Sequence, residues 1–381
     1  MKIFRRTANA FFKSNSIFKC KTEAHLAFLK RLPKPKNPIQ RSYNQFKCQC
    51  YQKSFLSNLK NSFIALFLIP PLIIYLLIKP GRRRRGDSTT GSNQAVFIFI
   101  GVSDIIPLCL KKRYQTIAEV SFGDKWYLNI NDLKYLFFLK KYFLSPFFLL
   151  KLIYKLALYR AIISNWGPKA IICSSEYSFT SSFLTWYCEQ NHIKHINVMH
   201  GEKLLNIRDS FFKFHECYVW DEHYLELFKT LRADEDQFIV ATPPSLLIND
   251  DSDSEQKYEL TYYLGGEKAP EMERIKEILL KINIPVFRIC IRPHPRYSDL
   301  NKVSSIFQHF LIEDPMVVSM KQSFGNTRMV AALYSTILFQ GFLSGKQIVL
   351  DDLSQKDKFD MLKEMKYIMF SKNYRTISSL L

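Results

Sequence analysis

Several short motifs that mark common enzyme classes are missing from this sequence of 381 residues. It has no G-x-x-x-x-G-K-[ST] phosphate-binding loop, which argues against a nucleoside triphosphatase, and no G-x-G-x-x-G dinucleotide fingerprint. The H-E-x-x-H of metalloproteases and the G-x-S-x-G of common hydrolases are also missing. No D-x-D follows a predicted strand, so metal dependence is not indicated and we expect no cofactor.

Acidic residues are scarce in the first ninety positions. Residues 1–90 contain 19 Lys and Arg but only two acids, Glu23 and Asp87, whereas residues 91–381 contain 35 Lys and Arg against 32 acids. The net charge of +20 therefore belongs mainly to a basic N-terminal extension, and a general nucleic-acid-binding surface explains it poorly. Residues 1–60 show no clear periodicity, which predicts partial disorder.

Closely spaced cysteines are also few. Of the eight cysteines only Cys48 and Cys50 are near each other, and a C-x-C without a second pair and histidines is a weak zinc signal. Met1–Ala10 is not followed by a continuous apolar core, so we expect no cleavable signal peptide. These features favour a reducing, cytosolic setting.

The extension contains one long apolar segment. Ser62–Ile78 spans 17 residues, is divided by Pro70–Pro71, and is flanked by Lys60, Lys79 and Arg82–Arg85. A spanning helix usually needs about 20 residues, and basic flanks on both sides indicate no orientation. We therefore expect peripheral or re-entrant association with an anionic membrane surface, with the Arg run on the head groups. The alternative is a buried hairpin beside a solvated basic tail.

A second apolar stretch, Leu133–Leu158, is rich in aromatic residues and interrupted by lysines. Its apolar residues cover more than one helical stripe. One interpretation is a helix pair packed under a sheet. The other is a monotopic membrane face whose lysines extend to the head groups, and the sequence favours neither.

From position 95 onward, short β-branched or aromatic runs alternate with helical stretches. Near-continuous apolar strands joined by helices predict a parallel sheet covered on both faces. The polar, acidic segment NDDSDSE (249–255) is the best domain boundary, and a second alternating set follows it. Strands are predicted at 95–101, 169–175, 194–200, 217–220, 237–241, 258–266, 286–295, 316–320 and 347–352. Helices are predicted at 178–191, 270–282, 300–311 and 335–344.

These patterns predict an α/β fold with two Rossmann-like domains facing a cleft, preceded by a basic, membrane-associating extension. The extension covers residues 1–90, with its apolar anchor at 62–78. The first domain covers 91–248 and the second covers 256–381. No internal repeat indicates a solenoid.

Three clusters occur beyond the carboxyl ends of predicted strands, where open α/β sheets bind their ligands. The first follows strand 194–199 and contains His200, a glycine and Glu202. A histidine at a strand end, followed by a glycine that lets the backbone turn and by a carboxylate, is a candidate general base. The alternative is an ordinary histidine of a surface loop.

The second cluster places His294 between two prolines and two arginines, Arg292 and Arg296. The prolines stiffen the loop, and the three basic side chains can donate several charge-assisted hydrogen bonds to a phosphate. Such a loop would stabilise charge on a departing nucleotide phosphate. The alternative is a basic loop with a structural histidine.

The third cluster, Tyr334-Ser335-Thr336, opens the predicted helix at 335–344. Ser335 is a natural N-cap, which is a purely structural role. The free N–H groups and hydroxyls of a helix start also bind anions. Both interpretations stay open, and the nearby His294 loop in the same half of the chain favours the anion site.

Together these motifs resemble a known group of enzymes. IRPHP (291–295) and ALYSTILFQGFLSGKQIVLDD (332–352) resemble the donor-binding half of GT-B glycosyltransferases of bacterial surface polysaccharides. The His-Pro and Ser-Thr pairs are similar to the HP and SS motifs of bacterial sialyltransferases and polysialyltransferases, which use CMP-sialic acid. MHGEKL (199–204) with the same HP loop also resembles teichoic-acid glycerophosphotransferases, which use CDP-glycerol. The resemblance covers about residues 170–370.

The resemblance implies roles for individual donor-binding residues. His294 would contact the donor phosphate, with Arg292 and Arg296 in support. Ser335 and Thr336 would hold the same phosphate from the helix start. The implied partners are therefore a CMP-linked nucleotide-sugar donor and a glycan acceptor.

The general base stays open. His200 matches the histidine proposed as base in the glycerophosphotransferases. In the sialyltransferases an acidic residue has that role, which here Glu202, Glu176 or Asp209 could fill. Gln340 is a further candidate donor-binding residue, since it stands where many GT-B enzymes place a ribose-binding Glu. The Gln in place of Glu, and the lack of an acidic-acidic-Gly motif in the first half, are two departures from the family pattern.

The resemblance implies a metal-independent, inverting glycosyltransferase of capsule or lipopolysaccharide synthesis at the cytoplasmic face of the bacterial inner membrane. It would transfer sialic acid from CMP-sialic acid to a glycan acceptor. One alternative is transfer of a polyol phosphate, such as glycerol phosphate, from a CDP donor. Another is a non-catalytic membrane scaffold of a polysaccharide assembly complex.

Overall fold

The computed structural model describes residues 22–78, 94–98, 101–120, 126–248 and 256–381. These residues form two compact units. The first unit holds the described residues up to His200 together with Leu205–Ala241, and the second holds Gly201–Leu204 with the described residues from Thr242 onward. The domain boundary predicted at 249–255 and the arginine run 82–85, which was predicted to contact head groups, lie outside the described residues.

The first unit is built on a parallel sheet. Its strands are β1 (Gln94–Phe97), β2 (Thr116–Glu119), β3 (Ala170–Cys173), β4 (Lys194–Val198), β5 (Glu216–Val219) and β6 (Phe238–Val240). Among the described residues their order is β2-β1-β3-β4-β5-β6, and every neighbouring pair is parallel. The central strand β3 is buried along its whole length, as expected of a sheet covered on both faces.

The helices of the first unit cover this sheet, and the first of them precede β1 in the sequence. They are α1 (Thr22–Arg31), α2 (Pro38–Tyr51), α3 (Phe55–Ile78), α4 (Leu108–Arg113), α5 (Leu133–Phe138), α6 (Pro146–Trp166), α7 (Ser181–Glu189) and α8 (Glu222–Thr230). The main core lies where α6 and α7 meet the sheet, with Leu152, Leu156, Phe183 and Tyr187 buried in one cluster.

The N-terminal helices bear on two expectations. Partial disorder was predicted for residues 1–60; residues 1–21 lie outside the described residues, and the rest of that range contains α1, α2 and the start of α3. Asn37 caps α2 by accepting a hydrogen bond from the Gln40 N–H at 2.8 Å. Pro70–Pro71 does not divide the apolar segment, since both prolines lie inside the continuous helix α3. Tertiary packing against α6 stabilises α3 despite the missing hydrogen bonds of the two prolines.

The second unit repeats the same architecture. Its strands are β7 (Tyr258–Tyr263), β8 (Ile289–Arg292), β9 (Leu311–Ile312), β10 (Thr327–Ala332), β11 (Gln347–Leu350) and β12 (Arg375–Thr376). In the described part of the unit their order is β12-β11-β10-β7-β8-β9, again parallel throughout. The helices are α9 (Ala269–Leu279), α10 (Leu300–Ile306), α11 (Met320–Asn326), α12 (Thr336–Leu343) and α13 (Lys356–Glu364).

One predicted strand is wrong. The segment 316–320 is not a strand, and Met316 and Val317 are 80% and 77% exposed. The strand of this region is β10, whose small residues Ala331 and Ala332 are buried between β7 and β11. The two successive parallel α/β units nevertheless confirm the predicted class of two Rossmann-like domains.

Candidate functional site

The order of the second sheet marks where a ligand would bind. The chain passes from β7 to β8 and β9 on one side, then returns to β10 on the other side of β7. Open α/β sheets bind ligands outside the carboxyl ends of the strands at such a switch point. Three segments leave the strands there: Leu264–Glu267 after β7, 293–298 after β8 and 333–336 after β10. These three segments are termed the second edge.

Hydrogen bonds fix the orientation of His294 on the second edge. Its backbone N–H donates to Ser298 Oγ at 2.9 Å, and the Ser298 hydroxyl donates to the Gly265 carbonyl at 3.2 Å. The Arg296 backbone N–H donates to His294 Nδ1 at 3.0 Å. Because Nδ1 accepts a hydrogen bond, the neutral ring carries its hydrogen on Nε2. His294 is therefore held as an Nε2–H donor.

The surroundings of His294 keep the ring neutral. Partial burial and the positive charge of Arg296 lower the pKa of His294. The Tyr297 ring stacks on the imidazole at a centroid distance of 4.5 Å, which restricts its rotation. A neutral Nε2–H can donate to a phosphate oxygen without first taking up a proton.

The two arginines of the same loop have different environments. The Arg292 guanidinium is 4% exposed, pairs with Glu313 at 2.9 Å and donates to the Val318 carbonyl at 2.8 Å. Arg292 is therefore a positioning residue that secures the end of β8, and the expectation that it supports the phosphate directly is corrected. Arg296 is exposed, and only its backbone N–H holds His294.

The start of α12 forms the other part of the second edge. Ser335 caps the helix by accepting from the Ile337 N–H at 3.3 Å, and its carbonyl accepts from the Tyr367 hydroxyl at 3.0 Å. Thr336 is the first residue of α12 and is partly exposed. A Cβ added to Gly341 would lie 3.1 Å from Ile348, so this glycine lets α12 pack closely on the sheet.

Gln340 is engaged elsewhere. Its side-chain amide donates to the Ser245 carbonyl at 2.8 Å, within the second unit. The structure thus gives Gln340 a role in holding the segment that enters the second unit. The sequence placed Gln340 among the candidate donor-binding residues; this hydrogen bond gives its amide a structural contact, and a donor contact of Gln340 stays a prediction.

Glu202 belongs to the second unit, where its charge acts on Tyr367. Burial raises the pKa of Tyr367 well above its usual value, and the negative charge of Glu202 adds to the shift. The Tyr367 hydroxyl on which this charge acts donates to the Ser335 carbonyl at 3.0 Å.

The remaining predicted residues lie in the first unit. Its switch point is between β1 and β3, and the segments 174–180 after β3 and Met199–His200 after β4 are termed the first edge. The Ser175 N–H donates to Asn197 Oδ1 at 2.7 Å, which ties the segment after β3 to β4. Glu176 is buried and His200 is exposed, so a carboxylate and a histidine lie on neighbouring strand ends.

Helix α2 holds the carboxylate side of the first edge. The Gln45 amide donates to the Glu176 carbonyl at 2.8 Å and to the Arg208 carbonyl at 3.0 Å, and the Gln49 amide donates to the Tyr177 carbonyl at 2.8 Å. Asp209 is 1% exposed and pairs with Arg208 at 2.8 Å. Sequence reasoning missed these glutamines, although their spacing of four places both on one helical face.

The described residues offer no group of three or more His, Cys, Asp or Glu side chains that could hold a metal ion. Burial raises the pKa of both Cys48 and Cys50 to about 11. Since metals bind the thiolate, the C-x-C pair is poorly suited to a zinc site.

Comparisons with known proteins find likeness among solved structures. No protein-family model matches the chain, and no curated protein matches it. The wall teichoic acid polymerase TagF, in a structure with CDPG, is 10% identical, with 86% of this chain and 87% of that chain covered and a TM-score of 0.41. MnaA of S. aureus with UDP is 10% identical, with 72% and 90% covered and a TM-score of 0.42. CalG4, the calicheamicin glycosyltransferase, is 9% identical, with 71% and 83% covered and a TM-score of 0.44. Likeness of this degree assigns neither an activity nor a substrate.

Proposed function

We propose that the chain is a glycosyltransferase of bacterial surface-polysaccharide synthesis that uses a nucleotide-activated donor. The observation that carries the proposal is the second edge, where a neutral His294 Nε2–H and the capped start of α12 follow strands on both sides of the switch point. Both groups donate hydrogen bonds, and they occupy the position at which such sheets bind phosphates.

The reaction needs a base and a stabilised leaving group. In the proposed step the acceptor hydroxyl oxygen forms a bond to the anomeric carbon of the donor sugar, and the bond from that carbon to the nucleotide phosphate oxygen breaks. His200, exposed at the end of β4, takes the hydroxyl proton, with Glu176 as the competing candidate. Asp209 is less suited because Arg208 already pairs with its carboxylate. Hydrogen bonds from the second edge stabilise the departing phosphate.

The donor we propose is CMP-sialic acid, on the strength of the HP and Ser-Thr motifs at His294 and Ser335. Transfer of glycerol phosphate from CDP-glycerol is the second candidate, which the MHGEKL segment (199–204) with the same HP loop favours. Both reactions release CMP. They differ in whether a phosphate remains in the product.

The test is an assay of CMP release by the full chain with CMP-sialic acid or CDP-glycerol and an oligosaccharide or glycerol-phosphate primer. Mass spectrometry of the product distinguishes a transferred sugar from a transferred polyol phosphate. We expect His294→Ala to reduce turnover by about 10²-fold, the usual effect of removing one donor to a developing charge. Full activity of His294→Ala, or no CMP release with either donor, would favour the scaffold alternative.

A further inference from the structure

Helix α3 has two faces of different character. On the inner face Ala65 and Leu76 are buried, and Ile69, Leu72 and Ile73 pack against the core that contains α6. Their spacing of three and four is that of one helical stripe. The outer face carries large apolar side chains exposed to solvent, namely Phe55, Leu56, Leu59, Phe63, Leu66, Phe67, Ile74, Tyr75, Leu77 and Ile78.

The outer face is too extensive for an ordinary soluble surface. By length and composition α3 could cross a membrane, and only 17% of its apolar window is buried. Contiguous exposed apolar surface of this kind marks an interaction site. The inner stripe already packs on the first unit, so the outer face is the part of α3 that remains for a partner.

Exposed apolar side chains continue beyond the end of α3. The Leu128 N–H donates to the Leu76 carbonyl at 3.0 Å, which places the segment leading to α5 beside the C-terminal end of α3. In that segment, in α5 and in the turn after α5, further apolar side chains are exposed: Ile130, Phe137, Phe138, Phe143 and Leu144. The long stretch 133–158 is thus divided, since α6 packs under the sheet while the turn before it faces solvent.

The charge around this surface has one sign. Residues 55–78 and 126–166 contain seven Lys and Arg and a single acid, Asp132, which is buried and pairs with Arg160 at 3.5 Å. Lys134, Lys140 and Lys141 are exposed, next to the exposed aromatic residues. An apolar surface bordered by cations complements the acyl chains and anionic head groups of a bilayer.

The prolines distinguish a helix in the membrane plane from a spanning one. Pro70 and Pro71 have no N–H, so the carbonyls of Leu66 and Phe67 lose their helical donors. In the hydrocarbon core each such carbonyl is costly, whereas water reaches them at the interface. If α3 spanned the membrane, its inner stripe would also have to leave the hydrophobic core of the first unit, which it covers.

We propose that α3 is an in-plane docking element for an anionic bilayer. Its outer face and the exposed aromatic residues before α6 enter the boundary between head groups and acyl chains, and the neighbouring lysines contact lipid phosphates. The inner stripe stays on the first unit. This binding is independent of the proposed transferase activity and is measured without a donor.

The test is flotation of the detergent-purified full chain after mixing with vesicles of phosphatidylcholine, with or without phosphatidylglycerol. The variant Phe63→Gln/Phe67→Gln/Ile74→Gln changes three outer-face residues that are at least half exposed, so it should fold normally. The matched control Phe287→Gln/Met316→Gln/Val317→Gln changes three exposed apolar residues of the second unit. Circular dichroism verifies that both variants are folded.

We expect the wild type and the control to float with phosphatidylglycerol-containing vesicles and to be released by alkaline carbonate. Binding of the outer-face variant to these vesicles should be weaker by about tenfold or more. Equal binding by the outer-face variant would overturn the proposal. Resistance of the wild type to carbonate would indicate a span instead. Wild-type dimers that the outer-face variant lacks, without vesicle binding, would identify a second copy as the occupant.

Discussion

The carboxyl edges of the two sheets share a parallel topology but carry opposite chemistry. On the first edge the functional candidates are His200 and the buried carboxylate of Glu176, with the Asp209–Arg208 pair beside them. The second edge presents hydrogen-bond donors, led by His294 Nε2–H. The sheet determines where a ligand can bind, and the loops that leave its strands determine which chemistry is possible there.

The two edges are also supported differently. Glutamine side chains from α2, which lies outside the sheet, hold the loops of the first edge. The second edge is held from within its own unit, through Ser298 to Gly265 and Tyr367 to Ser335. The first edge is therefore supported by the N-terminal helix α2, and the second by contacts within its own unit.

The largest expected effect is on the second unit. Arg292→Met leaves the carboxylate of Glu313 buried without its cation, which should lower the free energy of unfolding of this unit by about 3–5 kcal/mol. Hydrogen exchange of β8 and β10 measures the loss. All four tryptophans lie in the first unit, so their fluorescence transition should stay unchanged; they are Trp126, Trp166, Trp186 and Trp220.

Arg296→Met is the matched control for this prediction. Arg296 is exposed in the same loop, so its replacement should change the stability by no more than about 0.5 kcal/mol. Equal effects of the two variants would show that Arg292 has no special role in supporting the second edge.

Acid should affect the first unit specifically. Burial, with smaller effects of His215 and Lys155, lowers the pKa of His195 to about 3, below its ordinary value of 6.5. Below pH 6.5 the histidine takes up a proton in the unfolded chain, whereas the buried His195 of the folded unit stays neutral. The free energy of unfolding is therefore full above pH 6.5 and falls as the pH drops towards 3. The expected loss between pH 6.5 and 5.5 is about 1 kcal/mol, because the unfolded histidine is only half protonated at pH 6.5.

Urea unfolding followed by tryptophan fluorescence at pH 6.5 and 5.5 measures this slope. His195→Gln should make the slope shallower, whatever it does to stability at neutral pH. His192→Gln, which changes an exposed histidine of the same unit, should keep the wild-type slope. An unchanged slope in His195→Gln would mean that other groups cause the acid sensitivity.

A smaller effect is expected at the support of the first edge. Gln45→Leu removes the donor to the carbonyls of Glu176 and Arg208, which should cost about 1 kcal/mol of first-unit stability. Tryptophan fluorescence measures the change, and Gln115→Leu, at an exposed position of the same unit, is the control. No difference between these variants would show that α2 does not support the edge.

The sequence allowed the architecture and much of the second edge to be predicted. Apolar strand runs such as 170–173 and 348–350 are buried on both faces, and this pattern is visible without a structure. The stiff loop around His294 was also recognisable from its prolines. The local sequence pattern gave a wrong strand where tertiary packing determines which segment enters the sheet. Segment 316–320 has strand-like residues but is exposed, whereas the less apolar β10 occupies the centre of the sheet.

The partners of charged and amide side chains could not be predicted. Arg292 and Arg296 flank the same histidine, but only the approach of Glu313 from a distant segment separates their roles. Gln45 and Glu176 are 131 positions apart. Such contacts form only in the assembled fold. The sequence therefore predicted both arginines as phosphate-binding residues, although the Arg292 side chain pairs with Glu313 in the structure.

Nucleotide binding to His294 tests most directly whether the second edge is the donor site. Thermal unfolding of the full chain is followed with CMP, CDP, UDP and GDP, since a ligand at a hundred times its Kd stabilises by about 2.7 kcal/mol. We predict that CMP or CDP stabilises the wild type, that His294→Ala loses at least about tenfold in affinity, and that His294→Gln, which keeps an Nε2–H donor, retains part of it. Unchanged CMP binding by His294→Ala, or no response of the wild type to any of the four nucleotides, would contradict the assignment of the second edge as the donor site.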